Sequence, residues 1–432
     1  MSAATKISAR AGAAEALIAV LARGVPLESA LERHCAAKDL SPRDRAFAHN
    51  LVLTTLRRLG EIEAAVASCL ERPLPKGALH ARTALHLGIC QILFLRTPAH
   101  AAVATSVALA EAGGGGRLKG LVNAVLRRIA RTPDRFLAGP DAGRANTPAW
   151  LWARWSEAFG EEACRRIAET HLREPPLDIA VKSDPDTWAQ RLNGRVLPTG
   201  AVRLDDVSAV GALDGYAKGA WWVQDAAAQL PVRLLGDVKG RLVFDLCAAP
   251  GGKTAQLACA GANIVAVDRS KTRIERLRAN LARLDLAADT VIADVLAWAP
   301  GRLADAVLLD APCTATGTVR RHPDIPRIRK PEDIAVLAAT QEKLLRAAVN
   351  FVRPGGALVY CVCSLEPEEE TERIDRFLGD GAPFTREPIR ADEIAHQSPF
   401  LTPEGNLRTL PCHWPEWGGL DGFFAARLRR AG

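Results

Sequence analysis

Two cysteines, three carboxylates and one glycine-rich turn are the residues of this chain whose types and spacing could do chemistry. Cys313 lies in the run DAPCTATG and Cys363 in YCVCSLEPEE, each just past a short apolar segment that reads as a strand. A thiol on a loop at a strand end can serve as a nucleophile once ionised, whereas a thiol inside a strand, such as Cys361, is ordinarily packing. Asp268, Asp294 and Asp310 close or follow three strand-like segments, so carboxylates and thiols collect where successive strands stop. In a parallel sheet that edge is where ligands bind.

The turn is built from Cys247, Ala248, Ala249, Pro250, Gly251, Gly252 and Lys253, between a strand-like LVFDL and a helix. Small residues there let the backbone approach a ligand closely, and the following helix N-terminus favours negative charge. It is not a Walker A loop, because Cys247 stands where the first glycine is required, and the G-x-G-x-x-G fingerprint is absent. Asp268 comes 23 positions after Asp245, where a carboxylate can accept hydrogen bonds from ribose hydroxyls. With Asp294 and Asp310 added, the set suits a cationic cofactor bearing a ribose and an amine better than a polyphosphate. S-adenosyl-L-methionine fits that description.

Positioning these residues requires a sheet. Strand-like runs at Leu242–Cys247, Asn263–Asp268, Thr290–Ile292, Ala304–Asp310 and Ala357–Cys361 alternate with helical stretches such as Lys271–Leu284 and Pro331–Phe351. That alternation predicts a doubly wound α/β domain over 219–432. Residues 1–138 instead read as an all-helical bundle. Ala14, Leu17, Ile18 and Leu21 share one helix face, Ser41 and Pro42 open a helix that Gly60 should end, and Gly113–Gly116 separate two later helices. Between them, 145–218 reads as a small α+β connector, with one helix from Trp150 to Leu172 and strands near Asp178–Val181 and Ala201–Leu204. Trp221, Trp222, Gln224 and Asp225 are expected to open a helix, serving either packing or cofactor contact.

Composition narrows the function classes. A length of 432 residues implies two or three domains, and 48% hydrophobic against 24% charged residues excludes a disordered chain. The longest apolar stretch, Gly355–Leu365, is short of the ~18 to 20 residues that span a bilayer. Glu15 interrupts the run a signal peptide would need, so a soluble cytoplasmic protein is expected. Residues 1–140 hold 19 Lys+Arg against 10 Asp+Glu, a net of +9 within a chain whose total is +7. That excess is the footprint of a nucleic-acid-binding domain, with Arg43, Arg45, Arg57, Arg58, Arg127 and Arg128 as phosphate contacts. The ten cysteines form no paired C-x-x-C sets, so reduced thiols and no metal site are expected.

The runs DLCAAPGGKT, DAPCTATG, RRHPDI and YCVCSLEPEE resemble the motifs of the RsmB/Sun branch of the NOL/NSUN RNA (cytosine-5)-methyltransferases. The helical N-terminus is similar to a NusB-type RNA-binding domain, on the marks DRAF at Asp44–Phe47 and KGLVNAVLRR from Lys119. The likeness spans nearly the whole chain, and Gly422–Ala425 resembles the family's last strand. It implies an enzyme that uses S-adenosyl-L-methionine to modify one cytidine of small-subunit ribosomal RNA, and a monomer is expected. By the same resemblance Cys363 is the nucleophile, Cys313 assists release and Asp310 meets the cytosine edge. Cys247–Lys253 form the cofactor loop, Asp268 meets the ribose, Asp294 lies near the adenine and Asp310 near the methionine end.

Two cysteines are wanted because carbon 5 of cytosine is a poor nucleophile until a thiolate adds at carbon 6. Arg320, Arg321 and His322 would either favour that thiolate or hold RNA phosphates. The chain departs from the family at Thr314-Ala315, where Ser-Gly is usual, and at Val362, where Thr is usual. Rival readings are a transfer-RNA cytosine-5 methyltransferase and a non-catalytic NusB-like RNA-binding factor. A P-loop NTPase fails on Cys247.

Overall fold

The structure, a computed structural model, describes residues 3–36, 40–205, 207 and 209–432. It forms two compact units, Met1–Glu174 with Val319–Lys330, and Pro175–Thr318 with Pro331–Gly432.

The first unit is helical. Helices Ala3–Arg23, Leu27–Ala36, Pro42–Arg57, Leu59–Cys69, Leu79–Leu93, Ala99–Ala110 and Lys119–Arg131 share one apolar core, in which Leu17, Leu51, Leu85 and Leu126 are fully buried. Ser41 caps the third of these helices by accepting the Asp44 amide at 3.2 Å, with Pro42 at the first helical position. Gly60 does not end that helix but sits inside the next one. A Cβ there would fall 1.8 Å from the Ala145 carbonyl oxygen, so close approach decides the residue. The run Trp150–Leu172 is two helices, Ala149–Phe159 and Glu161–His171, divided by Gly160 at φ 83°. Their apolar residues Leu151, Trp155, Ile167 and Ala168 are buried, and the second of the two helices also packs with the short helix Ala142–Asn146. Helix therefore packs on helix as far as Glu174, beyond the expected limit at 138 and into the segment expected to begin the connector at 145.

The second unit holds two sheets. In the smaller, antiparallel sheet β1 (Leu177–Val181), β2 (Arg195–Val196), β3 (Val202–Leu204) and β4 (Trp221–Val223) lie in the order β2-β3-β1-β4. Trp221 and Trp222 are thus strand residues rather than a helix opening. Successive strand side chains face opposite ways, and these two are buried in two different cores. The small sheet is fixed by Arg203, fully buried, which donates to both oxygens of Asp178 at 2.6 and 2.7 Å and to the carbonyls of Trp417 and Gly419.

The larger sheet contains β5 (Leu242–Leu246), β6 (Asn263–Asp268), β7 (Asp289–Ile292), β8 (Ala304–Asp310), β9 (Val352–Val362), β10 (Phe384–Arg386), β11 (Leu407–Thr409) and β12 (Phe423–Arg430). The order is β10-β12-β9-β8-β5-β6-β7, with β11 also on β12. β5 to β9 run parallel, as the alternation with helices predicts, and β10 to β12 add an antiparallel edge. Chain direction from β5 goes one way to β6 and β7 and the other way to β8 and β9. The cleft beyond the ends of β5 and β8 is therefore the topological switch point where α/β sheets bind ligands. Among the described residues, no helix is long and apolar enough to cross a membrane, and no three His, Cys, Asp or Glu side chains converge on a metal position.

Candidate active site at the carboxyl edge of the sheet

β5 delivers the glycine-rich turn to the switch point. Cys247 leaves the strand at φ 61°, the Ala248 amide donates to Val267 of β6, and Gly251 turns at φ 103° before the helix Gly252–Cys259. A Cβ on Gly251 would lie 2.9 Å from Leu277, so only glycine satisfies both the angle and the space.

The carboxylates fall where the strand ends put them. Asp268, buried at the end of β6, accepts the Ala249 amide at 3.3 Å and the Ser270 amide at 2.9 Å, with Arg273 at 3.3 Å. Asp294, after β7, is exposed and accepts the Leu296 amide at 3.0 Å. Asp245, inside β5, accepts from Thr254 at 2.6 Å while its Oδ1 has no partner, and burial raises its pKa to about 7. These groups can only accept when ionised, so the set fits a ligand carrying hydroxyl and ammonium donors and a positive centre. S-adenosyl-L-methionine has all three, and a polyphosphate has none.

Asp310 joins this cofactor region to the cysteines. Its Oδ2 accepts from the Lys253 ammonium at 2.8 Å and its Oδ1 from the Cys361 thiol at 3.6 Å. Lys253 also stands 4.8 Å over the Phe423 ring. Burial opposes the Lys253 charge, but the Asp310 carboxylate outweighs it and raises the pKa, so this lysine stays protonated. The sequence places Lys253 in the cofactor loop, and the fold additionally makes it the partner of Asp310. Cys361, fully buried, has its thiol pKa pushed well up by burial and then by Asp310, which suits a packing role.

The sulfurs of Cys313 and Cys363 lie 3.5 Å apart, within hydrogen-bonding range of each other. They come from the ends of the adjacent parallel strands β8 and β9, which pair as far as Asp310 opposite Cys361. The hydrogen bond to Cys363, then burial, pushes the Cys313 thiol well above its usual range, so Cys313 is held protonated. The Cys313 loop is closed by two backbone bonds. The Gly317 amide donates to Cys363 at 3.0 Å and the Gly422 amide to Gly317 at 2.8 Å. A Cβ on Gly317 would meet the Gly422 carbonyl oxygen at 2.0 Å. Ala315, where the family usually has glycine, sits at φ 61° and accepts a left-handed backbone that glycine would adopt more cheaply. Thr314 keeps the hydroxyl of the usual serine and uses it on Glu369, whereas Val362 is a fully buried strand residue.

The basic residues divide. Arg43, Arg45, Arg127 and Arg128 are exposed on the helical unit. Arg57 donates to the Arg320 carbonyl at 3.1 Å, and Arg58 pairs with Glu61 at 3.1 Å, so these two are committed to internal contacts. Arg320, expected to hold a phosphate or favour the thiolate, is 1% exposed and belongs to the helical unit through the segment Val319–Lys330. Burial of its guanidinium removes it from any direct contact with a phosphate backbone.

Known proteins resemble the chain along its whole length. The family described as 16S rRNA methyltransferase RsmB/F matches residues 232–429, and the NusB family matches residues 7–131. Ribosomal RNA small subunit methyltransferase B of Vibrio cholerae is 36% identical over 390 residues, covering 86% of this chain and 89% of that protein. The protein of the same name from Klebsiella pneumoniae is 36% identical over 439 residues, covering 98% of both. The crystal structure of PH0851 shares the fold, with a TM-score of 0.79 at 22% identity over 100% of each chain.

Proposed function

Since the chain belongs to the RsmB/F family of methyltransferases and takes S-adenosyl-L-methionine as cofactor, we propose that it methylates carbon 5 of one cytidine in 16S ribosomal RNA through a covalent Cys363 adduct. The observation that carries this reading is the pair of thiols 3.5 Å apart on the ends of adjacent strands, next to the carboxylate-lined turn.

Bound cofactor supplies an electrophilic methyl group, held by the Cys247–Lys253 turn with Asp268 and Asp294. The remaining work falls to the chain. The target base must leave its stack to reach a thiol. Cys363, as thiolate, bonds to carbon 6, and the electron density displaced from the ring double bond makes carbon 5 nucleophilic. Asp310 accepts from Lys253 and Cys361, which supports a role in which it hydrogen-bonds the polar edge of the cytosine and orients the ring for that addition. After methylation carbon 5 carries both a methyl group and a proton. Cys313, after giving its own thiol proton to solvent, takes the carbon-5 proton, the ring double bond re-forms and Cys363 leaves with its electron pair. The exposed arginines of the NusB-like helices would supply sequence-independent phosphate contacts that weaken with salt.

The test incubates Cys313→Ala and Cys363→Ala with S-adenosyl-L-methionine and unmodified small-subunit rRNA, followed by a denaturing gel. A covalent protein–RNA band for Cys313→Ala and none for Cys363→Ala is expected. Absence of any adduct while the wild-type protein still methylates would mean that the cysteines are not the machinery. Methylation of transfer RNA in place of ribosomal RNA would leave the chemistry standing and change the substrate.

A further inference from the structure

We propose that Glu369 is a positioning residue that sets the spacing of Cys313 and Cys363, an inference that rests on the two-cysteine reading above. Glu369 is fully buried just beyond β9, and its carboxylate grips the residue that follows each cysteine. The Thr314 amide donates to its two oxygens at 3.0 and 3.2 Å, and the Thr314 and Ser364 hydroxyls both donate to Oε2. Gln341, on the helix Pro331–Ala348 that crosses from β8 to β9, donates to Oε1 at 2.9 Å and to the Pro312 carbonyl at 3.0 Å. The Tyr360 hydroxyl donates to the Glu369 carbonyl at 2.8 Å, fixing the backbone of the clamp to β9 itself.

A buried carboxylate is costly unless donors surround it. Here every donor comes from one of the two cysteine loops or from the helix joining their strands. The two loops are 50 positions apart in sequence and also meet through the Gly317 amide on the Cys363 carbonyl and the Leu365 amide on the Thr316 hydroxyl, but Glu369 is the charged group that binds the residue after each cysteine. One acceptor bound to both converts two separate strand ends into a single rigid element. The Thr314 departure is consistent with this use, because threonine retains the hydroxyl that the clamp requires. Glutamine at 369 would turn donor hydrogens toward other donors, so even an isosteric replacement should loosen the clamp.

The experiment compares wild type, Glu369→Gln and Glu369→Ala in two independent readouts. In the first, oxidised glutathione converts the two thiols to a disulfide, releasing two molecules of reduced glutathione, and peptide mass spectrometry follows the Cys313–Cys363 link. Loss of the clamp should slow linking by about tenfold or more, because proximity is what makes the second exchange intramolecular. In the second, RNA carrying 5-fluorocytidine, whose carbon 5 has no proton to lose after methylation, traps the adduct. Here the rate of adduct formation should fall by about tenfold with RNA affinity unchanged, in protein that stays folded at the assay temperature although its melting temperature is lower. Wild-type rates of both linking and trapping in a folded Glu369→Gln protein would overturn the proposal, and so would losses that vanish when the assays are run well below the variant's melting temperature. A wild-type protein that traps no RNA through Cys363 would instead refute the two-cysteine reading, while the linking rates still decide whether Glu369 sets the spacing.

Discussion

Replacing Lys253 by methionine keeps most of the aliphatic stem and removes the ammonium that orients Asp310. The two groups are 2.8 Å apart, with side-chain exposures of 10% for Lys253 and 33% for Asp310. A hydrogen bond to a charged group contributes about 1.5–3 kcal/mol, and the partial exposure of Asp310 places this one near 2 kcal/mol, roughly mid-range. Without it, Cys361 at 3.6 Å is a weak donor to hold the carboxylate. Under the proposed role of Asp310 a carboxylate free to turn no longer meets the base edge in one orientation, so kcat/KM for methyl transfer should fall roughly 30-fold, the rate equivalent of about 2 kcal/mol. The assay is a double-mutant cycle of Lys253→Met, Asp310→Asn and the combined variant, followed by methyl incorporation into rRNA and by urea unfolding. The pair should show a coupling of about 2 kcal/mol, whereas independent sites add to within about 0.5 kcal/mol. Additive behaviour in both measurements would mean that Lys253 acts without Asp310, and the account of how the carboxylate is held would be wrong.

Three further outcomes follow from the packing. Gly317→Ala places a Cβ 2.0 Å from the Gly422 carbonyl oxygen, so melting should show a loss of about 1–3 kcal/mol with most methyl transfer gone; an unaffected protein would contradict the close approach. Arg203→Met takes the guanidinium away from the buried Asp178 carboxylate, and urea unfolding should report a loss of about 3–5 kcal/mol, against near-zero if the pair were dispensable. His86 and His171 are held neutral by burial, which lowers their pKa values from 6.5 to about 4 and about 3. Folded values lie below the unfolded ones, so this stability is complete above the unfolded pKa and is lost as pH falls toward the folded values. Going from neutral pH to about pH 5 should cost about 2 kcal/mol at each site. His171→Phe should remove its share of that acid sensitivity in urea titrations at the two pH values, and an unchanged slope would sink the assignment.

What the sequence by itself determined is local. The Ser41-Pro42 cap, the glycine turn after β5 and the strands that stop at Asp268 and Asp310 are all set by adjacent residues, because capping, left-handed turns and strand alternation are short-range effects. The two cysteine loops were legible for the same reason, as thiols just past apolar strands. Helix boundaries were less so. Gly60 reads as a stop until Ala145 is seen against it, and Trp221-Trp222 reads as a helix opening until each ring is given its own core. Tertiary structure alone decided which groups meet. Lys253 finds Asp310 across 57 positions and Glu369 reaches Thr314 across 55, while the segment Val319–Lys330 leaves the sheet unit and takes the buried Arg320 into the helical one. A side chain's chemistry announces how many hydrogen bonds it must make but not with whom, and that choice is made only when the strands are laid side by side.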